Sequence, residues 1–211
     1  MNWLDYGVLA IIAISTLAGA AKGLIHSFFQ FAGLIISIIV SKKYYIFVSN
    51  LIINNTKIET AIHAFIGKKG VSEALSDGSF LEGLYLTLPT GKLFNDFTGY
   101  ITAVIINCIA LLITFITIRI CIALIETLLK EVFKLPVLST INHSGGAILG
   151  LVGSILALIL IFAVLIPISL LEKFAFLKEA IEVSVLSKYF YSYNFILKWM
   201  LDNALNIGLP R

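Results

Sequence analysis

Long uncharged apolar runs alternate with short charged segments along this chain, and the runs set its architecture. The longest stretch free of Asp, Glu, Lys and Arg covers 135–171, and its centre, Leu138 to Ile168, reads LSTINHSGGAILGLVGSILALILIFAVLIPI. About 20 apolar residues cross a bilayer as a helix, so this run spans with residues to spare. Gly146, Gly150 and Ser154 recur in it every four residues, which places them on one helix face. Helices solvated by lipid gain little by burying apolar surface against one another, so small residues that let backbones approach become the packing device. The pattern predicts that the other spans pack against this helix.

Three further runs carry the same signature. Tyr6 to Ala21 is uncharged and, with Trp3 and Leu4, is long enough to cross once. Gly19 and Gly23 then bracket Lys22, a spacing suited to close packing or a tight turn. Gly23 to Ser41 is the second run, with Gly33 as a further small packing position, and Lys42, Lys43, Tyr44 and Tyr45 close it with interfacial cations and aromatics. Phe97 to Ile118 is the third; its length as a helix is about 33 Å at the usual rise. The spans are therefore expected near 4–22, 25–43, 97–120 and 147–168. Arg119, Glu126 and Lys130 continue a helical pattern as a solvated extension, ended at Lys134-Leu135-Pro136. Ser139, Thr140 and Asn142 are candidate caps for the fourth helix, and Pro167 is expected to kink or stop it.

The segment 46–96 is more polar. Lys57 to Ile66 reads as a short amphipathic helix, followed by breaks at Gly67 to Gly70 and at Pro89 to Gly91. In the tail, Leu170, Phe174, Leu177, Ile181 and Val185 fall at helical intervals. The aromatic and cationic run Lys188 to Met200 suits a helix in the headgroup layer, with a soluble helix folded onto the loop as the alternative. The predicted fold is all-α: a polytopic membrane bundle of about four transmembrane helices, with amphipathic helices in the central loop and the tail. Residues 1–168 form the membrane module, 46–96 its insertion and 169–211 the tail.

Composition supports the same class. Hydrophobic residues make up 59% of 211 and charged residues only 13%, where soluble domains carry about 25% charge; the mean hydropathy is +1.01. An integral membrane protein is the consequence, with the lipid bilayer as first partner. A net charge of +3 is too small to argue for nucleic acid, and none is expected as a partner. Cys108 and Cys121 would lie about 20 Å apart on one helix, beyond disulfide reach, and are expected as free thiols packed as small apolar groups. Ala18-Gly19-Ala20 looks like a signal cleavage site, but Asp5 and the absence of a basic head favour a retained helix.

Polar groups inside the spans are few. His26 and Gln30 share a face of the second run, and Asn107 lies near the middle of the third. They are candidates for a polar pathway, or for hydrogen bonds between helices. A paired-His metalloprotease motif, a phosphate-binding Gly-Lys-Ser loop and Cys-x-x-Cys are all missing, so neither metal nor cofactor is expected. His143-Ser144-Gly145-Gly146 invites a nucleophile reading, but no carboxylate in the spans could orient a base. The expectation is a non-enzyme.

Asn2 to Tyr6 (NWLDY), the Gly-x-x-basic-Gly turn at Gly19 to Gly23, and Gly146 with Gly150 in the last span together resemble the colicin V production protein family. That family opens its last membrane helix with an Asp-Arg pair. Here Asn142 stands for the acid and His143 for the arginine, while Gly153 replaces a basic residue and Ser154 a glycine. The tail from Val183 to Ile196 is similar to a Ser…Tyr-x-x-Asn pattern of some relatives. The resemblance implies a bacterial inner-membrane protein linked to bacteriocin production and envelope maintenance. Three roles remain: a membrane scaffold or accessory factor, supported by the resemblance and the small-residue faces; a small oligomeric channel or transporter, motivated by Gln30, Asn107 and His26; and, last, an intramembrane hydrolase. Partners would be other membrane proteins, or further copies joined through small-residue faces.

Four spans put both termini on one side. The count of Lys and Arg near span ends leans toward cytoplasmic termini, though charge in long segments has less influence. The family's basic residues cluster in the two short connections, and some relatives resemble this module fused to an extracytoplasmic protease, so the short connections are expected in the cytoplasm. A reporter active only outside the membrane should therefore work when fused after Arg211. An inactive reporter there, with an active one inserted at Pro136, would reverse the assignment.

Overall fold

The computed structural model describes residues 1–65, 97–129, 139–169, 171 and 174–203. All regular structure among them is helical: α1 (Trp3–Lys22), α2 (Leu24–Asn55), α3 (Ile58–Phe65), α4 (Phe97–Leu129), α5 (Ser139–Ser169), α6 (Ala175–Val183), α7 (Ser187–Ser192) and α8 (Phe195–Asn203). Four of these are long and apolar enough to cross a membrane: α1, α2, and the 101–127 and 142–169 portions of α4 and α5. α1 packs chiefly on α5, and α2 on both α4 and α5. The predicted breaks at 67–70 and 89–91 lie outside the described residues, as do Lys130 and Lys134.

Burial divides the bundle into two halves. Ile101 to Cys108, eight consecutive residues of α4, are all buried. Eight residues exceed two helical turns, so every face of α4 is covered there. Beyond Leu112 the same helix turns Ile113, Ile116, Ile120 and Leu124 outward. Leu9, Ile14 and Leu17 of α1, Phe28 and Ile36 of α2, and Ile148 and Leu151 of α5 are likewise exposed. Soluble monomers rarely expose apolar patches beyond a few hundred Å²; in a bilayer this belt is the lipid-facing surface.

The structure departs from expectation at several places. The second helix does not end at Lys43 but runs on to Asn55. Lys and Tyr mark where lipid meets water, and Lys is also a good helix former; the interface is crossed without a break. Pro167, expected to kink or stop the fourth helix, lies inside α5, which runs to Ser169. Proline removes the N–H that would bond the carbonyl four residues back, here that of Ala163, and the Cys108 thiol of α4 donates to that carbonyl at 3.9 Å. The described tail is three short helices, and the apolar stripe expected from Leu170 to Val185 is broken after Val183. Val185, expected on the buried stripe with Ile181, falls after the break and is exposed. Cys121 is exposed as well, so only Cys108 packs as an interior thiol.

The tail is fastened along the bundle. Asn194 accepts from Leu197 N–H at 2.9 Å, capping α8, and its amide donates to the Ile159 carbonyl of α5 at 2.8 Å. Phe190 stacks on Phe162 at 5.3 Å. Trp199 meets Tyr45 edge-on at 5.0 Å, with Lys42 Nζ 4.6 Å above its ring. Tyr189, Tyr193 and Phe195 face outward, a distribution suited to the headgroup layer.

Asp5 is the other fastening. It lies in the first turn of α1 and is completely buried. Its carboxylate accepts from Ser184 Oγ at 2.6 Å, Leu186 N–H at 2.9 Å and Asn2 N–H at 2.8 Å. Asn2 in turn caps α1 and donates to the Ala180 carbonyl. One short motif at the start of the chain thus closes its own helix and holds a loop about 180 residues away.

Candidate functional site

The site is built where α1 turns into α2 and α5 begins. Gly23 makes the turn at φ +83°, a left-handed conformation that side chains with a Cβ avoid. The first N–H of α2, that of Leu24, has no intrahelical acceptor. Asn142 supplies one: its Oδ1 accepts from Leu24 N–H at 2.6 Å. Asn142 is therefore a cap for α2 and not for its own helix, which already starts at Ser139. His143 donates from Nδ1 to the Ala20 carbonyl at the end of α1, at 2.7 Å. The acid and arginine of the family pattern would carry charges suited to a helix N-terminus and C-terminus respectively. Asn142 and His143 serve the same two helix ends by hydrogen bonding.

Below the turn, α1 and α5 touch through backbone. A Cβ on Gly19 would strike the Gly146 carbonyl, and one on Gly150 the Ser15 carbonyl. A Cβ on Gly146 would meet the Gly19 carbonyl oxygen, and the Gly23 carbonyl carbon at 2.9 Å. Ser154 is buried one turn further along the same face. Gly33 lies elsewhere, on α2 against α4, where a Cβ would meet Arg119 Nη1 at 2.6 Å and Glu126 Oε1 at 2.8 Å. Arg119 and Glu126 form an ion pair at 3.2 Å across two turns of α4. The absent side chain of Gly33 makes room for that pair.

Beside the seam, α1, α2 and α5 line a half-open cavity of about 240 Å³, which Arg119 reaches from α4. Lys22, Gln30, Ser15, Ser27, Gly150 and Ser154 are among its lining residues. Lys22 Nζ donates to Gln30 Oε1 at 3.4 Å, and Gln30 Nε2 donates to His26 Nε2 at 3.2 Å. His26 and Gln30 are thus one connected pair. Asn107 is set apart, twelve residues before Arg119 on α4, about 18 Å along the axis. It is fully buried, and neither its Oδ1 nor its Nδ2 has a partner.

Two residues matter here in ways their expected places do not suggest. Arg119, expected on a solvated extension, lies within the apolar 101–127 stretch of α4; as a lone cation in ITIRICI it carried a usable signal, since intramembrane cations are costly and rarely idle. Asp5 carried no such signal, because its partners lie across the whole chain.

Four long apolar helices with a lipid-facing belt, closed by a glycine seam and a docked tail, define a polytopic α-helical membrane protein. The colicin V production protein family model matches residues 4–193, and the chain belongs to that family. No curated protein and no solved structure matches it.

Proposed function

We propose that the chain is a non-enzymatic scaffold or accessory factor of a bacterial cytoplasmic membrane, serving bacteriocin production or export, or envelope maintenance. The observation that carries this reading is close packing. Backbone-to-backbone contact at Gly19, Gly146 and Gly150 and the buried Asp5 clamp join both ends of the chain into one packed body. The Gly19, Gly146 and Gly150 faces are occupied within the chain. Partners would therefore meet the outward apolar faces, such as Ile113, Ile116 and Ile120 on α4. Gentle solubilisation of native membranes should recover the full chain with a discrete membrane-protein partner, and purified protein in liposomes should pass no ions.

The cavity with Lys22, Gln30 and Arg119 favours the second reading, a small oligomeric channel or transporter. Recovery without a partner, together with liposome flux that falls on Gln30→Leu or Asn107→Leu, would replace the scaffold reading with that one.

A further inference from the structure

We propose that the cavity between α1, α2 and α5 is a binding site for a phosphate-bearing anion, with Lys22 and Arg119 as its ligands. The inference is independent of the scaffold reading.

Size and charge point the same way. The volume, about 240 Å³, is more than ten times the roughly 10–15 Å³ that a single water requires. Two cations from different helices line it, and the lining contains no Asp or Glu. Lys22 is held by the neutral Gln30 carbonyl oxygen, and no carboxylate among the described residues pairs with it. Arg119 gives Nη1 to Glu126, which leaves most of its five N–H donors for another acceptor. A guanidinium fork and an ammonium together match the oxygens of a phosphate.

Depth and surroundings add to the argument. Lys22 ends α1 at the short-connection side, while Arg119 lies opposite Gly33, nine residues into α2. The site therefore lies between the interface and the apolar interior, the level at which lipid phosphates and the first acyl carbons are found. Leu17 and Phe28, the neighbours in sequence of lining residues Ala18 and Ser27, are exposed and apolar. A diacyl phospholipid could place its headgroup in the cavity and its chains along those residues. Lys22 is exposed and Arg119 partly exposed within the bundle; cations that face lipid are costly, and an anion bound between them would offset that cost.

Glu126 makes the proposal testable. It competes for Arg119, so neutralising it and neutralising Arg119 should act in opposite directions on an anion. Loss of the ion pair as a merely structural element would move both variants the same way.

The full-length chain, stripped of bound lipid in detergent, would be titrated with dioleoylphosphatidylglycerol, dioleoylphosphatidylcholine and inorganic phosphate. Bound lipid would be counted by native mass spectrometry, and the shift in Tm would be followed for all three. Phosphatidylglycerol should bind and raise Tm while phosphatidylcholine does neither. Arg119→Gln and Lys22→Gln should each weaken binding about tenfold or more, the usual scale for losing a charge-assisted hydrogen bond, and Glu126→Gln should strengthen it. The same order with inorganic phosphate alone would assign the site to a soluble phosphate. Equal response to both lipids without a phosphate response, or equal affinities across the variants, would overturn the proposal.

Discussion

Adding a single methyl group at Gly146 should destabilise the protein by about 2 kcal/mol or more, at the upper end of overpacking costs in packed cores. The new Cβ would press on the Gly19 carbonyl and on the Gly23 backbone. Neither is a flexible side-chain end that can swing aside, so α1 and α5 must separate along the seam. Separation forfeits dispersion contacts along both helices, and lipid supplies no compensating hydrophobic force. Gly7 provides the control within the same bundle. It lies on α1 as Gly19 does, but nothing comes within 4 Å of a Cβ added there. Gly7→Ala should therefore be neutral or stabilising, up to about 1 kcal/mol from helix propensity. Gly150→Leu should exceed Leu156→Ala in its damage, because a cavity is tolerated better than two backbones driven apart. Tm in detergent and abundance in the membrane both report this. If Gly146→Ala and Gly7→Ala shift Tm alike, the seam is not a tight contact.

The second large effect is expected at Asp5. Asp5→Ala strands Ser184 Oγ–H and the N–H groups of Leu186 and Asn2, all bonded to its carboxylate at 2.6–2.9 Å. Each buried unpaired donor costs about 1–3 kcal/mol, and breaking a buried charged cluster typically costs about 3–5 kcal/mol in total. The segment around Ser184 should leave the bundle before the spans come apart, since Asp5 is one of the tail's fastenings and takes no part in the glycine seam. Limited proteolysis would then cut between 171 and 190 in Asp5→Ala while α1 and α5 remain associated. Ser184→Ala should show a weaker form of the same phenotype. In a double-mutant cycle the two substitutions should be coupled by about 1 kcal/mol or more, as contacting residues usually are. A tail equally protected in wild type and Asp5→Ala would show that the clamp does not hold it.

Both effects sit at places the chain advertises unequally. The Gly146, Gly150 and Ser154 face could be read from spacing alone, because a repeat of four always returns to one side of a helix. Its partner could not: Gly19 precedes Gly146 by more than a hundred residues, and periodicity describes a helix's own surface, not what covers it. Polar residues show the same division. Asn142 was legible as a cap by type and position, but whether it served α5 or α2 depended on where Gly23 turned the chain. His26 and Gln30 shared a face by spacing and are bonded in the structure, whereas Asn107, similar in kind, lies far along another helix.

The sequence by itself determined the class, the number of spans and their small-residue faces, because about 20 uncharged apolar residues have few stable alternatives to a membrane helix. It also carried the family resemblance. Only the tertiary structure decided that Asp5 clamps the tail, that Asn142 caps a neighbouring helix, and that Lys22 and Arg119 line one cavity. Each of these joins residues separated by roughly a hundred positions or more, and such pairings follow from how the helices are arranged around one another, which no local pattern encodes.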